Sequence, residues 1–169
     1  MELREELLKE ADTVFNRRSM SVIYVRIGFI EEKLGKYHFA KQWYEKSLVI
    51  REAIARETNT IGSREDLTLV YKSLGDIEVK LKEYSLARSW YKKGIAIAEK
   101  TINETDFLLD QELLFAMYYQ YSIADLENID YAYLAKAREV IVRLKEEHPD
   151  LERYVRACKR VDSFMEQKK

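Results

Sequence analysis

The chain has 169 residues, 47% hydrophobic and 35% charged, with a formal net charge of -1. This composition excludes a disordered chain and suits one domain with a substantial core. Interleaved charges exclude the basic stripe that a nucleic-acid backbone demands, and 5 Gly with 1 Pro are too few for the frequent turns of a β-rich fold.

In chain order, residues 1–17 read as the second helix of an incomplete repeat. Leu3, Leu7, Leu8, Ala11 and Val14 form its apolar stripe. Arg4, Glu5, Glu10, Thr13 and Arg17 recur 47 residues later as Arg51, Glu52, Glu57, Thr60 and Arg64. Residues 18–60 make repeat one. Val22, Ile23, Ile27, Ile30 and Leu34 lie at helical spacing, and Gly35 supplies a left-handed stop. A second helix runs from Tyr37 to about Glu57, with Ala40, Trp43, Tyr44, Ser47, Leu48, Ile50 and Ile54 on or near one face. The turn falls in "TNTIGS", where Ser63 precedes Asp66 at capping spacing.

Residues 63–103 make repeat two. "YKSLGDIEVKLKEYSLARSWY" from Tyr71 aligns without a gap on "YVRIGFIEEKLGKYHFAKQWY" from Tyr24. Lys82 stands near the place of Gly35, where a left-handed conformation would cost about 1 kcal/mol. Residues 106–147 make a degenerate third repeat, in register through Tyr118 and Tyr131 and slipped beyond. His148-Pro149 closes it. Residues 150–167 then read as an amphipathic capping helix, with Leu151, Tyr154, Val155, Cys158, Val161 and Met165 on one stripe.

Small residues account for the repetition. Gly28 with Ala40, and Gly75 with Ala87, occupy equivalent places in antiparallel neighbours and predict close helix approach. Trp43/Trp90 and Tyr37/Tyr84 are expected to fill the wedge between hairpins. A lone hairpin cannot bury both faces, so copies must stack.

The pattern Tyr24, Ile27-Gly28, Gly35-x-Tyr37, Ala40, Tyr44 recurs as Tyr71, Leu74-Gly75, Tyr84, Ala87, Tyr91. It resembles the tetratricopeptide repeat (TPR) family, in a long-helix form similar to kinesin light chain and bacterial repeat proteins. Glu31 and Glu78 depart from the family's tyrosine, and the period is 47 rather than 34. The resemblance implies an all-α fold, a right-handed superhelical α-solenoid of antiparallel hairpins. It also implies a concave groove lined by the first helix of each repeat. Carried over, the groove positions are Val22, Val25, Arg26, Phe29 and Lys33; Leu69, Lys72, Ser73, Asp76 and Lys80; and Ala116, Tyr119, Gln120, Ile123 and Glu127. Val25 and Phe29 stand where carboxylate-clamping members carry Lys and Asn, so that activity is not implied.

Chemistry-bearing motifs are few. His38 and His148 are far apart and read as surface residues; Cys158 lies on an apolar stripe and reads as packing. Tyr118 and Tyr121 are expected in the core and Tyr119 in the groove. No CxxC, HExxH, GxGxxG or phosphate-loop pattern occurs, so no enzyme, metal or cofactor is expected. One cysteine permits no internal disulfide and agrees with a reducing compartment. The charged start lacks a signal-type apolar core, and no run is long enough to cross a membrane. The expectation is a cytoplasmic, non-catalytic scaffold that binds a protein or peptide segment. The alternatives are a homo-oligomer stacked through the N-terminal helix, or a peptide-sensing regulatory domain similar to bacterial pheromone receptors.

Overall fold

The computed structural model describes residues 12–105 and 107–167. Among them are α1 (Val14–Lys33), α2 (Tyr37–Thr58), α3 (Ile61–Lys80), α4 (Tyr84–Ile102), α5 (Leu108–Ile123), α6 (Tyr131–Glu147) and α7 (Glu152–Glu166), with no strand. Each helix packs chiefly on its neighbours in sequence. The result is a helical solenoid rather than a bundle around one axis.

Two threonines start the first helices. Thr13 Oγ1 accepts from the Asn16 amide at 3.1 Å, and Thr60 Oγ1 accepts from the Ser63 amide at 3.2 Å. Each satisfies a donor that the helix leaves orphaned. The expected cap at Ser63 is therefore corrected: Ser63 lies inside α3, and Thr60 is the cap. The boundary expected after residue 17 also moves, because α1 begins at Val14. The remainder of the expected N-terminal helix, residues 1–11, lies outside the described residues.

The hairpin turns repeat as well. Gly35 has φ +73° and Lys82 has φ 64°, so lysine does adopt the left-handed conformation. In both turns the following amide reaches back to the helix: Lys36 N to the Glu31 carbonyl at 2.9 Å, and Glu83 N to the Glu78 carbonyl at 2.8 Å. Such bonds satisfy carbonyls at the helix end and hold the strained residue in place.

Gly28 and Gly75 make room for tyrosine rings rather than for the facing alanines. A Cβ on Gly28 would lie 2.8 Å from the Tyr44 ring, and one on Gly75 would lie 2.4 Å from that of Tyr91. Ala40 and Ala87 are fully buried beside them. The tryptophans also differ from expectation. Trp43 packs on Tyr24 with ring centroids 5.6 Å apart, and Trp90 stacks on Tyr71 at 5.8 Å. Each pair lies within its own hairpin rather than wedged between two. Lys46 Nζ sits 4.1 Å above Trp43, and Lys93 Nζ sits 4.2 Å above Trp90, adding a cation–π layer.

In the third copy the slip is one helical turn. Tyr133 takes the place of Trp90 against Tyr118 at 5.9 Å, with Lys136 over both rings in the place of Lys93. Those spacings are 43 rather than 47, and four residues are about one turn, so the same face still points inward. Ser122 then stands at the glycine position and Leu134 at the buried-tyrosine position, both fully buried. A larger residue on one helix is matched by a smaller one on the other. Helix α7 continues the series. Tyr154, Cys158 and Val161 are buried on one stripe, and Phe164 meets Tyr119 edge-on at 6.3 Å.

Candidate functional site

The first helix of a repeat offers one stripe to its partner and a second for stacking on a preceding hairpin, which leaves a third stripe over. On α1 that stripe holds Val22, Arg26, Phe29 and Lys33. Phe29 is 51% exposed, and Lys33 Nζ lies 4.9 Å from its ring centroid. Val25 lies at its edge and packs against the α2–α3 core. On α3 the stripe holds Leu69, Lys72, Ser73, Asp76 and Lys80. Leu69 is 47% exposed. Its carbonyl accepts from Ser73 Oγ at 3.0 Å.

Asp76 is the most constrained group on this face. Its Oδ2 takes Lys72 Nζ at 2.6 Å, and its Oδ1 takes the Tyr91 hydroxyl at 2.7 Å. Burial, followed by the charge of Asp76, pushes the Tyr91 hydroxyl far above its ordinary pKa, so it remains a donor. Tyr44 does the same for Glu32 at 3.0 Å in the first copy. Asp76 and Lys72 therefore neutralise each other, while Arg26, Lys33 and Lys80 are exposed and enter no ion pair among the described residues. The uncompensated charge on the face is positive.

Sequence reasoning missed the brace between the stripes. Arg18 Nε of α1 holds Asp66 Oδ2 of α3 at 2.5 Å, and this contact raises the Arg18 pKa. Arg51 is buried behind it, with Nε donating to Ser21 Oγ at 3.2 Å and Nη1 to the Asp66 carbonyl. Burial lowers the pKa of Arg51. Only the polarity of Ser21 and Ser47, at otherwise inward positions, signalled such a network.

The third copy does not extend the face as expected. Tyr119 is 8% exposed, sandwiched by Phe115 at 5.9 Å and by Phe164 of α7. Its expected groove role is corrected: α7 covers it. Gln120 and Ile123 are half-buried and border a separate cleft with Val79 and Tyr84. Ala116 is half-buried, and Glu127 is exposed in the α5–α6 connection. Tyr118 is buried and Tyr121 half-buried, as core residues.

The searched chemistry is sparse. His38 is exposed. His148 caps α6, and its ring lies 6.2 Å from that of Tyr154. Cys158 is buried, its thiol pKa is pushed up by burial, and Sγ lies 3.7 Å from the Ile141 carbonyl. Among the described residues no group of His, Cys, Asp and Glu could hold a metal, and no helix is long and apolar enough to cross a membrane.

The period, the hairpins and the glycine–tyrosine locks converge with the family comparison, in which the tetratricopeptide repeat model matches residues 22–53 and 70–101. The chain carries two tetratricopeptide repeats. No curated protein matches it. The matched TPR segments begin and end within α1–α2 and α3–α4, so they contain both stripes of the open face except Leu69, one residue before the second segment. TPR arrays are protein-interaction scaffolds, and this one is all-helical.

Proposed function

We propose that the α1–α3 face binds a peptide segment of a partner protein through apolar anchors and at least one acidic group. The observation that carries this reading is the pairing of two half-exposed apolar side chains, Phe29 and Leu69, with unpaired Arg26, Lys33 and Lys80. An isolated exposed apolar residue needs no explanation, but two on adjacent helices, rimmed by cations of one sign, make an amphipathic track. The Arg18–Asp66 brace supports it by joining the two helices beside that track.

Selection of peptides from a random displayed library on the purified chain tests the reading. The expected consensus combines an aromatic or large aliphatic residue with Asp or Glu. Phe29→Ala with Arg26→Glu should weaken a selected peptide by tenfold or more, about 1.4 kcal/mol, and added salt should weaken it further. Peptides with no acidic preference, or equal binding by the double variant, would refute the proposal.

A further inference from the structure

A second surface lies on the other side of α3. Leu67 and Tyr71 point away from Leu69 and Ser73, because two residues rotate a helix by about half a turn. They floor an open cleft of about 650 Å³ walled by α2 and α4. Its cations are Arg56 of α2, Arg64 at its base and Lys100 of α4, and Ile97 completes the apolar floor. Arg64 is buried and pairs with Glu104, whereas Arg56 and Lys100 are exposed and enter no ion pair among the described residues. The acidic wall residue Glu52 accepts the Tyr71 hydroxyl at 2.8 Å.

The molecule contains its own control. One repeat later, a cleft of about 540 Å³ is built the same way between α4 and α6, with Tyr118 on its floor. There Glu99 accepts the Tyr118 hydroxyl at 2.5 Å, as Glu52 does for Tyr71. Asn103 replaces Arg56 and Gln111 replaces Arg64; in the 43-residue register of α6, Arg143 takes the place of Lys100 and Glu147 that of Glu104, the partner of Arg64. The shape recurs while the charge reverses: three cations and one carboxylate line the first cleft, and Arg143 with two carboxylates lines the second.

We propose that the α2–α4 cleft is an anion site, distinct from the α1–α3 face, for a carboxylate or phosphoryl group carried on a small apolar body. The apolar body lies over Leu67 and Ile97, and the anion meets Arg56 and Lys100. The α4–α6 cleft, with its excess of carboxylates, rejects the same ligand.

Amide NMR titration of the full chain with phenylacetate, phenyl phosphate and inorganic phosphate tests this. Saturable shifts are expected around Arg56, Leu67 and Lys100 with an aryl probe, and none around Asn103, Gln111 and Glu147. The tighter aryl probe identifies carboxylate or phosphoryl as the preferred group, and inorganic phosphate should bind more weakly. Arg56→Asn, which installs the residue of the second cleft, combined with the charge reversal Lys100→Glu should raise the dissociation constant about tenfold or more. Equal shifts in both clefts, or inorganic phosphate matching the aryl probes, would overturn the assignment. Arg56 and Lys100 also lie in the last turns of their helices, where a cation offsets the carbonyl ends. A variant that loses thermal stability yet keeps full binding would restrict them to that role and overturn it too.

Discussion

Helices α1 and α3 carry the same stripe and meet different fates. Leu67, Val70 and Ile77 are at most 6% exposed, because α2 covers them. Their equivalents 47 residues earlier, Met20, Ile23 and Ile30, are 46%, 50% and 56% exposed. An aliphatic residue at a stacking position thus records what the repeat is built to touch, not what it touches. The stripe becomes core only where another second helix arrives.

Charge insertion breaks this comparison most sharply. Val70→Asp should destabilise by about 4 kcal/mol or more, since it buries an unpaired carboxylate, and lower the melting temperature by about 10 °C. Ile23→Asp, at the equivalent position, should cost under about 1 kcal/mol. Similar losses for both would show that α1 is covered in solution.

The next effect concerns the glycine–tyrosine lock against its serine–leucine counterpart in the third copy. Gly75→Ser alone should cost about 2 kcal/mol, because its Cβ meets the buried Tyr91 ring. Tyr91→Leu alone should cost about as much through the cavity it leaves. Together they recreate the pairing of Ser122 with Leu134, and a double-mutant cycle should show the pair costing at least about 1 kcal/mol less than the sum. Strict additivity would mean that the two positions do not share one volume.

The turns differ by one residue. Lys82→Gly should stabilise by up to about 1 kcal/mol, measured by urea unfolding, since glycine carries no penalty at φ 64°. Gly35→Lys should lose about the same amount. If Lys82→Gly is destabilising, the lysine side chain contributes more than the strain it imposes.

The smallest effect separates the two junctions between first helices. Arg18 meets Asp66 as an ion pair, whereas Glu65, 47 residues after Arg18, lines one small cavity with the buried Asp110. Burial first, then the Asp110 charge, raises the Glu65 pKa. A raised carboxyl pKa means the folded state holds its proton longer, so this stabilisation is complete below the unfolded pKa and is lost as pH rises through the folded value. Glu65→Gln should therefore raise the melting temperature at pH 7 by about 1–2 °C and flatten its pH dependence in the weakly acidic range. An unchanged pH profile would show that Glu65 does not titrate against the Asp110 charge.

How far the sequence could be read depended on whether a property was local. Thr13 and Thr60 were visible as a repeated pair, yet Ser63 drew the cap because its spacing to Asp66 looked similar. The slip after Tyr131 was visible, but its size was hidden until the Tyr118–Tyr133–Lys136 layer placed it at one turn. Tyr119 matched the groove positions of Val25 and Lys72, and nothing nearby in sequence announced that Phe164 would lie against it.

Helix periodicity, the left-handed turn at Gly35 and the need for stacking follow from residue order alone, because each depends on neighbours within about one hairpin. Which stripe remained open was decided by the tertiary structure. Exposure is a relation between helices distant in sequence: α7 closes the third copy, while Phe29 and Leu69 stay exposed because no helix among the described residues covers them. The opposite charges of two like-shaped clefts were likewise written in the sequence, but they acquired meaning only when folding brought Arg56 and Lys100 from different repeats to the two walls of one cleft.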